Sequence, residues 1–334
     1  MERWVAGALG RAPDEVTPMP GGAARGATLW VRAGDARAVV MFVPDAAPEE
    51  AGGAAAGARW PFLEVQALLA ARGVRVPAVL AESCAEGLCL LEDLGDDTLG
   101  RFVAAHPERR ETMYRRAVRD RAAAQGALAE LPAGSIVASR AFDEKLLRWE
   151  LDHFREWGLD ARDRALGSGE RAELDAIFDR LARRIAAWPR GFVHRDYQST
   201  NLIAVPGGDA TEPALAWIDF QDALLGPRAY DLVALLNDSY LDLDRAFVQA
   251  RLDDFATAAG LDAAARADLG RQFDLMTVQR KLKDAGRFVF IDRVKKNPAF
   301  LRFIDPSLAK VRTSLTWLVD DADMRALADL LARA

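Results

Sequence analysis

One eleven-residue stretch constrains this chain more than any other: Phe192-Val193-His194-Arg195-Asp196-Tyr197-Gln198-Ser199-Thr200-Asn201-Leu202. It sets a carboxylate, Asp196, in a polar loop behind an apolar strand end, with a side-chain amide, Asn201, five positions later. Two short apolar runs follow, 201–205 and 214–220, around the turn residues Pro206-Gly207-Gly208, so a hairpin is expected here. Its second run carries another acid in Trp217-Ile218-Asp219-Phe220. Long helical patterns flank this pair of strands, over 109–131, 142–157 and 169–188 before it, and to the end of the chain after it.

The first third reads differently. Runs 27–32 and 37–43 are β-like and separated by Gly34-Asp35. Residues 61–72 have helical spacing, with Phe62, Val65, Leu68 and Leu69 on one side and Gly73 as a stop signal. Residues 79–80 and 88–91 read as two more strands, and the Ala/Gly stretch 46–58 as a loop. This predicts an α+β fold of two parts, a small sheet with one helix over 1–95 and a larger, mainly helical part over 96–334. A length of 334 residues has room for both. The net charge of −6 gives no electrostatic basis for binding nucleic acid or an anionic membrane. No apolar run approaches the roughly 18–20 residues that span a bilayer. Two cysteines, Cys84 and Cys89, are too few for a disulfide framework. With no secretory core at the N-terminus, a cytoplasmic protein is the expectation.

The spacing His-Arg-Asp, four residues, then Asn resembles the catalytic loop of kinase-fold phosphotransferases. The chemistry explains the residue types. A carboxylate at Asp196 would accept or orient the proton of an acceptor hydroxyl, and an amide oxygen at Asn201 would reach a magnesium ion. Asp219, at the end of an apolar strand, would bridge that ion to the β- and γ-phosphates of ATP. Positioning and charge neutralisation supply most of the acceleration in such reactions. Each residue alone has a plainer reading: Asp196 a surface acid, His194 a packed core histidine, Asp219 a turn former. His194 is read as a loop-packing residue. Asp231, in Gly226-Pro227-Arg228-Ala229-Tyr230-Asp231-Leu232, reads either as the cap of an apolar helix over 232–236 or as a buried carboxylate that holds the catalytic loop.

These segments resemble the aminoglycoside phosphotransferase and choline kinase superfamily, over nearly the whole chain. Asp219-Phe220-Gln221-Asp222-Ala223, Gly226-Pro227 with Tyr230-Asp231-Leu232, and Asp274 through Gly286 are most like its anomeric sugar kinases of cell-wall recycling. The resemblance implies a protein-kinase-like two-lobe fold, ATP and Mg2+ as cofactors, and an amino sugar phosphorylated at its anomeric hydroxyl. By it, Asp196 is the catalytic base and Asn201 and Asp219 are the metal ligands. Leu90-Leu91-Glu92-Asp93-Leu94-Gly95 is similar to the hinge whose backbone, at Glu92 and Leu94, binds adenine. Pro20 through Gly26, with Gly21, Gly22 and Arg25, resembles an incomplete phosphate-binding loop. Met41 stands where protein kinases carry a Lys, so Glu64 lacks the usual ion-pair partner, and Gln221 replaces the Gly of Asp-Phe-Gly. Met41 also leaves a nucleotide-binding scaffold as a reading of another class.

Between Arg271 and Lys296 the chain holds eight basic and three acidic residues. Leu275, Val278 and Leu282 share one helical face by spacing, and Arg280, Lys283 and Arg287 another. Such a face suits a neutral or anionic sugar and would repel a polycationic aminoglycoside; the plainer alternative is a solvated helix face. Arg280, Lys283, Gln221 and Asp222 are therefore candidate sugar contacts, with aminoglycosides and other small alcohols as alternative acceptors. No protein partner is indicated.

Overall fold

The computed structural model describes residues 1–19, 27–42, 60–207 and 212–333. Gly21, Gly22, Arg25 and the stretch 46–58 lie outside them. In chain order, α1 (Glu2–Leu9) leads into β1 (Glu15–Pro18), β2 (Ala27–Ala33) and β3 (Ala36–Phe42). Next come α2 (Pro61–Ala71), β4 (Val79–Ser83), β5 (Leu88–Glu92) and α3 (Leu99–Ala105). The helices α4 (Arg110–Ala127), α5 (Glu144–His153) and α6 (Ser168–Ala186) follow, then β6 (Arg190–Val193), β7 (Leu202–Val205), β8 (Ala214–Trp217) and β9 (Leu224–Pro227). The chain closes with α7 (Ala229–Leu236), α8 (Arg245–Ala258), α9 (Ala263–Lys295), α10 (Ile304–Thr316) and α11 (Ala322–Arg333). None of these helices is long and apolar enough to cross a membrane.

Two compact units emerge: Met1–Ala105 with Thr200–Asp222, and His106–Ser199 with Ala223–Ala334. The first is built on an antiparallel sheet in the order β1-β2-β3-β5-β4. Alternation along β2 and β3 turns Val31, Ala38 and Val40 to one face, where they pack with Leu88, Leu90 and Val5 of α1. The strand β1 was not evident in the sequence; it is four residues long and ends in Pro18. The β7–β8 hairpin belongs to this unit rather than to the helical part of the chain. Ala204 N–H donates to Asp97 O and Trp217 N–H to Arg75 O, each at 2.8 Å. Phe220 stacks on Phe62 of α2 with ring centres 4.9 Å apart.

The second unit is organised by α9, 33 residues long. Against it pack α5, α7 and α10. Leu275, Val278 and Leu282 are buried as their spacing predicts, but so are Gln279, Arg280 and Lys281, because neighbours surround this stretch of the helix. The predicted helix over 142–157 is α5 followed by a π-helical turn, Phe154–Leu159. A β-carbon added to Gly286 of α9 would sit 2.7 Å from His153 O and 2.8 Å from Phe154 Cα at that junction. Glycine in a helix interior ordinarily costs about 1 kcal/mol relative to alanine. Here the sign should reverse, because backbone cannot yield cheaply. We expect Gly286→Ala to lower stability by about 1–3 kcal/mol in chemical denaturation, as overpacking does; a raised midpoint would count against this packing.

Candidate active site

The loop that follows β6 is tied down at several points within the second unit. Asp231, fully buried on α7, accepts hydrogen bonds from the backbone N–H groups of His194 at 2.8 Å and Arg195 at 3.0 Å. The same carboxylate pairs with the guanidinium of Arg121, also fully buried, at 2.7 Å. Arg121 in turn donates to Phe192 O, so one ion pair grips both the strand and the loop. Tyr197 is buried and its hydroxyl donates to Ala117 O at 2.9 Å. Ser199 donates to Asp238 through both its N–H and its hydroxyl, at 2.9 and 2.6 Å. These ties hold Arg195 at φ +80°, a conformation a side-chain-bearing residue adopts only when its surroundings impose it.

Asp196 keeps about a third of its side chain exposed. Arg280 Nη2 lies 3.3 Å from its Oδ1, and Arg280 Nη1 donates to Arg195 O at 2.8 Å. The Arg280 guanidinium also sits over the Tyr230 ring, 4.6 Å from its centre, so its orientation is fixed from two sides. Burial works against ionisation of Asp196. The charges of Arg280, Lys283, Arg195 and His194 outweigh it and hold the carboxyl below the usual carboxylate range. Asp196 is thus an ionised, half-open acid on a rigid loop, able to accept a proton or a hydrogen bond from a hydroxyl.

In the first unit, Asn201 and Asp219 come together, with Asn201 Nδ2 3.3 Å from Asp219 Oδ2. The hairpin enforces this, since Leu202 pairs with Trp217 and Ile218 N–H donates to Asn201 O. Asp219 has φ +62°, a second left-handed residue without a glycine's freedom. Gln221 Nε2 donates to Asp219 Oδ1 at 2.9 Å and steadies it. One carboxylate and one amide are hard oxygen donors of the kind Mg2+ takes, once the amide turns its oxygen toward the ion.

Comparison with known proteins places these loops in context. The model of the phosphotransferase enzyme family matches residues 15–268, about three-quarters of the chain. The chain belongs to this family. Similar to it are the N-acetylmuramate/N-acetylglucosamine kinases of Pseudomonas aeruginosa, 33% identical over 92% of this chain and 88% of the relative, and of Caulobacter vibrioides, 31% identical over 80% and 79%. Its fold is that of kinase-like phosphotransferases. A microcompartment-associated aminopropanol kinase aligns with a TM-score of 0.64 at 16% identity, over 96% of this chain and 98% of that one. An ADP-bound aminoglycoside phosphotransferase aligns at 0.60 and 14%, over 92% and 96%.

Other residues singled out in this phosphotransferase from its sequence take definite places. The Glu92 carboxylate is bound by Arg75 at 2.5 Å and by Ala78 N–H at 3.1 Å, and its own N–H donates to Ala78 O. Leu94 packs against the small core of Ile203, Val205 and Ala216. Asp222 closes the first unit's second segment. Lys283 pairs with Asp284 at 2.9 Å, whereas Arg280 is engaged by Asp196. Arg121, Asp238 and Glu150, whose buried carboxylate accepts from Gln279 at 2.8 Å, had no sequence signal of their own. Each is a lone polar residue in a helix or a loop, and only the partner that folding brings to it reveals its use. Replacing Asp231 by Ala leaves Arg121 as a buried charge without its carboxylate. We expect a loss of about 3–5 kcal/mol, read by denaturant unfolding; a loss below about 1 kcal/mol would reduce the pair to surface strength.

Proposed function

We propose that this phosphotransferase is an ATP-dependent sugar kinase that phosphorylates N-acetylmuramate and N-acetylglucosamine at the anomeric hydroxyl, in the cytoplasm and in the recycling of cell-wall sugars. The observation that carries the acceptor is the near full-length similarity to kinases named for those two sugars. In this reading the hydroxyl oxygen attacks the γ-phosphorus of ATP, the bond from γ-phosphorus to the bridging oxygen breaks, and ADP leaves. Asp196 accepts the hydroxyl proton. Its depressed pKa keeps it ionised at neutral pH, and Arg280 positions it. Asn201 and Asp219 would hold Mg2+, which when bound neutralises charge on the phosphates. The backbone near Glu92 and Leu94 would take the adenine, and Gly21, Gly22 and Arg25 the phosphates. Arg280, Lys283 and Arg287 disfavour a polycationic aminoglycoside as acceptor.

Release of ADP, followed with each sugar in the presence of ATP and Mg2+, tests the assignment. Turnover of both sugars, with none of kanamycin, is the expected result; kanamycin turnover without sugar turnover would overturn it. Asp196→Asn should cost several orders of magnitude in kcat while the fold survives.

The sign of the pH effect follows from the charges around Asp196. With Arg280 replaced by Met, burial of Asp196 is less opposed and its pKa rises. The acidic limb of kcat/KM should then move to higher pH, and Arg280→Lys, which keeps a charge, should move it less. An unshifted limb would detach Arg280 from the role of positioning Asp196.

A further inference from the structure

The stripe of cations on α9 does not end at Arg280. Lys283 and Arg287 follow on the same face, so Arg287 stands about 10 Å along the axis from Arg280 at a helical rise of about 1.5 Å per residue. Lys283 lies close enough to act electrostatically on both Asp196 and His153, and Arg287 also acts on His153. The stripe therefore runs from the proposed catalytic carboxylate to the end of α5. There the surface changes character. Trp149 is 55% exposed, although most large apolar side chains of the protein are buried. Its ring stacks on His153, 5.5 Å between centres and 25° between planes. His153 packs on Phe290, and Arg287 lies over the Phe290 ring at 5.0 Å.

The register of this patch is fixed from beneath. Glu150, next to Trp149, is buried and accepts from Gln279, next to Arg280. The Tyr230 hydroxyl and Gln279 Oε1, both buried beside this pair, have no hydrogen-bond partner among the described residues. Gly286 allows the two helices to approach closely, as its contact with His153 O shows. Among the described residues Arg287 makes no ion pair, unlike Lys283 and Arg280, which both face carboxylates. An exposed indole and a guanidinium with no ion pair among the described residues thus flank the His153–Phe290 contact, and Arg287 lies two helical turns along α9 from Arg280, the partner of Asp196.

Resting on the proposed sugar kinase activity, we infer that Trp149 and Arg287 form the acceptor subsite that distinguishes an acidic amino sugar from a neutral one. The apolar face of a pyranose ring stacks on the indole. The Arg287 guanidinium binds the carboxylate of the lactyl ether that N-acetylmuramate carries and N-acetylglucosamine lacks. Lys283 adds to the field, while Arg280 remains with Asp196.

The test is steady-state kinetics of the full chain with both sugars, reading kcat and KM separately. For Arg287→Gln the ratio of kcat/KM for N-acetylmuramate to that for N-acetylglucosamine should fall about tenfold, through KM, the size expected for one charged hydrogen bond. Arg287→Glu should lower the ratio further, and Arg287→Lys should restore part of it. Trp149→Ala should raise KM for both sugars. N-acetylglucosamine turnover by each variant reports that it is folded. An unchanged ratio in Arg287→Gln and Arg287→Glu, with both sugars still phosphorylated, overturns the subsite alone. Failure of the wild-type chain to phosphorylate either sugar overturns the sugar kinase assignment and the subsite with it.

Discussion

A single buried carboxylate organises the second unit around its loop. Asp231 meets the charge of Arg121 and two backbone N–H groups at once, with no solvent on either side of the pair. A buried ion pair is costly to assemble and is tolerated when every donor and acceptor has a use. Here it fixes a loop whose next residue, Arg195, holds a left-handed backbone. The next side chain, Asp196, stays about a third exposed while His194 and Tyr197, on either side of Arg195 and Asp196, are buried. Tyr197 on Ala117 and Ser199 on Asp238 extend the grip, so Asp196 is positioned by groups that do not touch it.

The longest helix connects this loop to the rest of the unit. Along α9 the same few turns supply apolar packing through Leu275, Val278 and Leu282, the counter-charge of Asp196 through Arg280, and a buried amide through Gln279. Lys281 is buried as well, held by Asp284 and Ser239. A helix so polar and so buried is stable because its charges meet partners inside the unit. The small residue at Gly286 sets how near α5 lies, and with it where Trp149, His153 and Arg287 are displayed.

In the first unit the same economy holds on a smaller scale. A hairpin of two four-residue strands brings an amide and a carboxylate to hydrogen-bond distance, and Gln221 steadies the acid from two positions on. Asp219 takes a left-handed φ, and its neighbour Phe220 is stacked on Phe62. Of the four left-handed, non-glycine residues among those described, Arg195 adjoins an acid singled out for chemistry and Asp219 is one, while Asp163 and Lys296 lie beside neither.

Much of this was legible in one dimension. Local alternation defines β2 and β3, helical spacing defines α2, and the turn residues at 206–207 define the β7–β8 hairpin, because each pattern reflects near neighbours along the chain. The spacing of Asp196, Asn201 and Asp219 was readable for the same reason. The pairing of β6 with β9 was not, since Arg190 meets Pro227 across a long stretch of intervening chain. Nor were the partners of Arg121, Asp238, Glu150 and Arg280, whose use depends on which distant helix lies opposite. Sequence by itself determined the acids, the amide and the local elements that carry them. Only tertiary structure decided which charges meet, because electrostatic pairing acts through space and a linear pattern holds no record of distance.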